Sequence, residues 1–145
     1  MAENRAGGFE YRGRTYRFRD ASCCWESSSH ELFIDAEGPH CALGLVGVPF
    51  PGASEVADLP GRAWEPDAAE LALHADTFAE GGLDVGEKHL WIMGGRIECR
   101  RFDAGRKVLT INFRFTVLDE GCGPEDEADG VAHCHVIARP PWWEA

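Results

Sequence analysis

One run constrains this chain more than any other. Between Lys107 and Leu118, Leu109, Ile111, Phe113, Phe115 and Val117 alternate with Thr110, Asn112, Arg114 and Thr116. Successive side chains of a strand point to opposite faces, so this segment buries one face and wets the other. A strand of this kind needs a partner along each edge and a second apolar layer over its dry face.

The rest of the chain offers those partners. Phe9-Glu10-Tyr11 and Thr15-Tyr16-Arg17-Phe18 flank Arg12-Gly13-Arg14 as a short hairpin or bulged strand. Cys23 to His30 reads as a polar, serine-rich connection. Glu31 to Ala36 and Cys41 to Val48 read as short strands, closed by Glu37-Gly38-Pro39 and Pro49-Phe50-Pro51-Gly52. Residues 53–66, with Pro60, Gly61 and Pro66, form an irregular crossing. Residues 66–80 fit a strand over about 69–77, with one short helix after Pro66 as the alternative. His89 to Met93 and Arg96 to Phe102 are strands joined at Gly94-Gly95, and Asp103-Ala104-Gly105-Arg106 is a hairpin turn. Asp119 to Gly130 reads as an acidic, solvated loop; calcium binding is the lesser alternative, since the EF-hand order does not match. Val131 to Ala138 is the last strand. The expected fold is a single all-β domain over 1–145, mainly antiparallel: a sandwich or small barrel of about seven to nine strands, with room for one short helix around 66–80.

The layout resembles small bacterial β-sandwich and calycin-like domains of unassigned function, many of them on lipoproteins. The resembling pieces are Phe9-Glu10-Tyr11-Arg12-Gly13-Arg14-Thr15-Tyr16 and Gly95-Arg96-Ile97-Glu98-Cys99-Arg100-Arg101-Phe102-Asp103 with the strand after it. These are sheet patterns and not catalytic motifs. The resemblance implies an all-β fold and transfers no site residues, and the chain is expected to depart from those families in having no signal peptide or lipidation cysteine.

Six cysteines in 145 residues are too few for a disulfide scaffold. The start, Met1 to Gly8, has no apolar secretion core, so the expected compartment is the reducing cytoplasm and the thiols are expected free. Cys41, Cys99 and Cys134 lie in apparent strands, where cysteine packs as a small apolar residue. No C-x-x-C pair, P-loop, G-x-G-x-x-G or G-x-S-x-G is present. No stretch approaches the roughly 20 apolar residues of a membrane helix.

The net charge of -11 argues against nucleic acid and anionic membranes as partners. The charge is segregated. Residues 1–20 carry five arginines against three acids, and residues 96–118 carry six basic residues against two acids. Residues 21–95 carry two basic residues against thirteen acids, and residues 119–145 one against seven. Both basic windows are β-patterned, so they are expected as neighbours in one sheet, facing an anionic partner or paired with acids across strands. The expected partner-binding residues are Arg12, Arg14, Arg17 and Arg100, together with Trp142 and Trp143 of the aromatic tail.

His133-Cys134-His135 is the most suggestive triplet for chemistry. In a strand both imidazoles face one way and are able to share a zinc or iron ion. His74 and Asp76 have the same spacing, and His40, Cys41 and His89 are further donors. The leading expectation is a non-enzymatic, protein-binding accessory module without a cofactor, a small acidic inhibitor or immunity-type partner included. The alternative is a metal-dependent enzyme or metal-binding barrel centred on His133 and His135, with His74 and Asp76. The third is a carrier of a small apolar ligand, since a barrel can enclose one. An exposed edge strand would make a dimer reasonable.

Overall fold

The computed structural model describes residues 6–65, 82–119 and 122–138. The alternating run is the hub of the structure. It forms β9 (Val108–Asp119), which pairs antiparallel on one side with β8 (Lys88–Asp103) and on the other with β10 (Cys122–Val136). From β8 the ladder continues through β7 (Gly82–Val85), β5 (Cys41–Pro49) and β4 (Glu31–Gly38) to β3 (Asp20–Glu26), all antiparallel. β3 then returns to β10 in parallel, through Ser22 opposite His135 and Cys23 opposite Val136. Seven strands thus close into a barrel, which removes their free edges.

Three further strands decorate the barrel. β1 (Gly7–Tyr11) pairs with β10, β2 (Arg14–Arg17) pairs with β1, and β6 (Ala63–Trp64) pairs with β8. A short 3-10 turn at Val56–Asp58 interrupts the crossing between β5 and β6. The ten strands among the described residues exceed the expected count because β6 is only two residues long and β7 only four.

The core follows from the pattern. Leu109, Ile111, Phe113, Phe115 and Val117 are all buried, facing Leu32, Ile34, Leu43, Leu45, Leu83, Leu90 and Ile97. Phe113 and Phe115 stack with centroids 5.0 Å apart. Cys23, Cys99 and Cys134 fill the interior as free thiols. Burial pushes Cys99 up to about 12, and Cys23 rises well above the ordinary thiol range through its hydrogen bond with Cys134 and its burial. Buried in this way, all three thiols pack as small apolar groups. Gly130 of β10 sits opposite Phe9 of β1, where a Cβ would meet the Gly8 carbonyl and stand 2.6 Å from the Phe9 Cβ. The missing side chain lets the phenyl ring lie across the strand.

Three expectations are corrected. Cys23 to His30 is not a connection: β3 runs to Glu26, and only residues 27–30 turn. The inward side chains of β3, Ala21 and Cys23, are small, so its burial is hidden among serines. Asp119 to Gly130 is not a loop, because β10 begins at Cys122 and pairs with β9, with one register shift between Cys122 and Asp126. Two of its four acids meet arginines, Asp126 with Arg12 at 2.8 Å and Asp129 with Arg114 at 3.4 Å. Gly94-Gly95 does not separate two strands but sits at a bulge inside the continuous β8. The strand or helix expected within 66–80 lies outside the described residues.

Candidate functional site

The site is built by the hairpin of β1 and β2. Its two-residue loop, Arg12-Gly13, has φ of 52° and 77°. Both are left-handed, as in the primed turns that match strand twist. Gly13 adopts this freely, whereas Arg12 carries a Cβ there at a cost of about 1–2 kcal/mol. The strained residue makes two contacts. Its Nε donates to Asp126 Oδ2 at 2.8 Å, and its guanidinium lies 5.3 Å from the centre of the Tyr11 ring. The same hydrogen bond holds the Asp126 carboxyl below the usual carboxylate range.

β1 lies against β10, but β2 has no strand on its far side among the described residues. The hairpin bond from Phe18 N to Gly7 O sets the alternation. Residues 14 and 16 therefore turn their backbone groups toward β1, and residues 15 and 17 turn theirs away. The Arg17 carbonyl accepts from Cys41 Sγ at 3.5 Å, and Arg19 N donates to the Glu37 carbonyl at 2.7 Å. Those contacts close one end of a wedge between β2 and the turn joining β4 to β5. Gly86 N donates to His40 O at 2.8 Å, tying that turn to the one joining β7 to β8.

The wedge is an open cleft of about 960 Å³. Tyr11, Arg12, Arg14, Thr15, Tyr16 and Arg17 form one wall, and Pro39, His40, Cys41 and Val85 to Lys88 form the other. Glu87 is the one carboxylate among these lining residues, against four cationic side chains. Arg12 is engaged by Asp126, and Lys88 by Asp119 at 3.0 Å. Arg14 and Arg17 make no ion pair among the described residues. At the base of the cleft lies Tyr11, only 4% exposed, its hydroxyl buried without a hydrogen-bond partner. Burial raises its phenol above the ordinary value; Arg12 and Lys88 pull it down, while Asp119 and Asp126 push it up.

The structure brings together three of the expected partner-binding residues, Arg12, Arg14 and Arg17, and separates the fourth. Arg100 is exposed near the far end of β8, up to about 40 Å along that strand from Lys88. Trp142 and Trp143 lie outside the described residues. The two basic windows are not adjacent, because acidic β10 runs between β1 and β9. In the second window, Arg96 lies 3.2 Å from Glu65 and 4.0 Å from Glu98, and Arg114 pairs with Asp129. Of these, Arg114–Asp129 is a cross-strand pair, and Arg96–Glu98 lies within β8.

His133 and His135 do share the outer face of β10. Nδ1 of His133 shares a 3.0 Å hydrogen bond with Thr110 Oγ1 on β9, while His135 is exposed. Burial, with a smaller contribution from Arg101, lowers the His133 imidazole below its ordinary value. His89 Nδ1 lies 2.6 Å from Asp84 on the neighbouring strand, and His40 and Cys41 belong to the cleft. Among the described residues no three His, Cys, Asp or Glu side chains converge as a metal site would require. His74 and Asp76 lie outside the described residues. The buried β9 side chains Leu109, Ile111, Phe113, Phe115 and Val117 belong to one hydrophobic core cluster with the residues of the other strands.

Sequence reasoning did not find Tyr11, Thr15, Glu87 and Lys88 as site residues. The available signal was the Arg-Gly-Arg hairpin tip directly after Tyr11, which marks that tyrosine as the residue beneath the turn. Lys88 gives no local signal, since only barrel closure brings its turn opposite β2. Comparison with family models, curated proteins and solved structures returned no match. Among the described residues, no helix is long and apolar enough to cross a membrane.

Proposed function

We propose that this protein is a non-enzymatic binding module whose cleft takes an acidic segment of another protein. The observation that carries this reading is the convergence of Arg12, Arg14, Arg17 and Lys88 on one cleft, against the single carboxylate of Glu87, in a chain of net charge -11. An acidic body repels anionic partners in general, so a local cationic cleft concentrates them at one place. Arg14 and Arg17 are the residues free to answer incoming carboxylates, and Arg12 and Lys88 set the field around them.

The reading is tested with a fluorescein-labelled octapeptide of alternating glutamate and valine, followed by anisotropy. Binding at low salt should be lost at about 1 M salt, where the Debye length falls to roughly 3 Å. The double variant Arg14→Glu, Arg17→Glu should not bind while keeping the parent melting temperature. Absence of binding by the parent protein, or equal binding by the variant, overturns the reading.

Two exposed ion pairs supply little affinity. At roughly 0.2–1 kcal/mol each, they account for at most about thirtyfold in Kd. Charge therefore selects the class of partner, and the bulk of the affinity has to come from other contacts in the cleft.

A further inference from the structure

We infer that the occupant binds as an additional strand on the outer edge of β2, an inference that rests on the binding reading above. The barrel closes every other edge around this opening, and β2 alone faces the cleft with no strand beside it among the described residues. The register turns the Thr15 N–H and C=O away from β1 and into that space, together with the Arg17 N–H. An unpaired edge of this kind is a template for an extended segment, whose main chain supplies hydrogen bonds and whose alternate side chains supply selectivity.

The side chains around the edge specify the segment. Tyr11 and Arg14 form a cross-strand pair, as do Phe9 and Tyr16, so all four project to one face of the hairpin, while Thr15 and Arg17 project to the other. Arg14 thus lies on the Tyr11 face of a strand laid beside β2, where carboxylates at alternate positions would meet it, and Arg17 lies on the opposite face. The Tyr11 hydroxyl is buried without a partner at the base of the cleft, so the cleft offers the guanidinium of Arg14 above it to an incoming carboxylate. The occupant is therefore an extended acidic segment of a partner protein, alternating carboxylates with small or β-branched residues.

The test uses the same glutamate–valine octapeptide in three forms: unmodified, and N-methylated at alternate amides in each of the two phases. Methylation leaves every charge in place and blocks hydrogen bonding along one edge only. One methylated phase should bind like the parent peptide, and the other should bind at least about tenfold more weakly, the equivalent of one or two net backbone hydrogen bonds. In the full-length protein, the unmodified peptide should also slow hydrogen exchange of the Thr15 amide. Equal binding of both methylated phases, with Thr15 exchange unchanged, overturns strand addition and leaves the acidic-cleft reading intact. Failure of all three peptides to bind overturns both. A free protein that sediments as a dimer, and that the peptide converts to monomer, assigns the edge to a second copy and overturns the partner-strand inference.

Discussion

Replacing Tyr11 by Phe should stabilise this protein and leave its binding unchanged. The Tyr11 ring is buried in the core cluster, and its hydroxyl has no partner. A buried, unsatisfied polar group costs about 1–3 kcal/mol, whereas removing the group without changing the shape around it costs little. Phenylalanine keeps the ring and its place beneath the Arg12 guanidinium, 5.3 Å from the ring centre. Because the hydroxyl borders an open cleft, the lower end applies, a gain of about 1 kcal/mol. For a chain of this length that raises the melting temperature by roughly 2–4 °C. Urea unfolding should show a higher midpoint with an unchanged slope, since the exposed area on unfolding is the same. In the same variant the glutamate–valine octapeptide should bind as it does to the parent, because the buried hydroxyl is out of its reach. Loss of about 1 kcal/mol or more from Tyr11→Phe would show that the hydroxyl is satisfied in the free protein, and the reasoning would fail.

Three further outcomes follow from the same geometry. Gly130→Val should lower the urea midpoint by the equivalent of about 1–3 kcal/mol, because the new side chain meets the Gly8 carbonyl and Phe9; an unmoved midpoint would refute the packing of β1 on β10. The fold favours neutral His133, so its contribution is fully present above the unfolded imidazole value of about 6.5 and is lost as pH falls through the lower folded value. His133→Gln should therefore show a smaller loss of stability than the parent between neutral and mildly acidic pH, and identical pH profiles would contradict this. Cys99, pushed up to about 12 and fully buried, should resist iodoacetamide in the native protein and react only in urea, as read by peptide mass spectrometry; native labelling would mean that the barrel wall opens readily.

Much of the barrel was legible because alternation reports burial directly. The run from Leu109 to Val117 identified a half-wet strand with two partners, and the Arg12-Gly13 tip identified a hairpin. Where burial used small side chains the pattern failed. β3 packs Ala21 and Cys23 inward, and the first half of β10 packs Ala128 and opposes Phe9 with Gly130, so both looked like polar connections. The acids of β10 added to the impression of a loop, although each acid on the outer face of a strand needs only a cross-strand cation. The site was half legible for a different reason. Arg12, Arg14 and Arg17 share one hairpin and can be grouped from sequence, but Arg100 cannot be separated from them without strand order. Lys88 and His40 join the group only because closure brings two distant turns opposite β2. The pairing of His133 and His135 on one face followed from spacing alone. The hydrogen-bond partner of His133, Thr110, follows only from the register of β9.

The most direct test of the account is to map where the acidic octapeptide sits, by following backbone amide shifts of the isotopically labelled full-length protein during titration. The account predicts that the shifts cluster on Tyr11, Thr15, Arg17, His40 and Gly86, the two walls of one cleft. Shifts centred instead on the exposed Trp91 and Met93 of β8, or on His133 and His135, would contradict it.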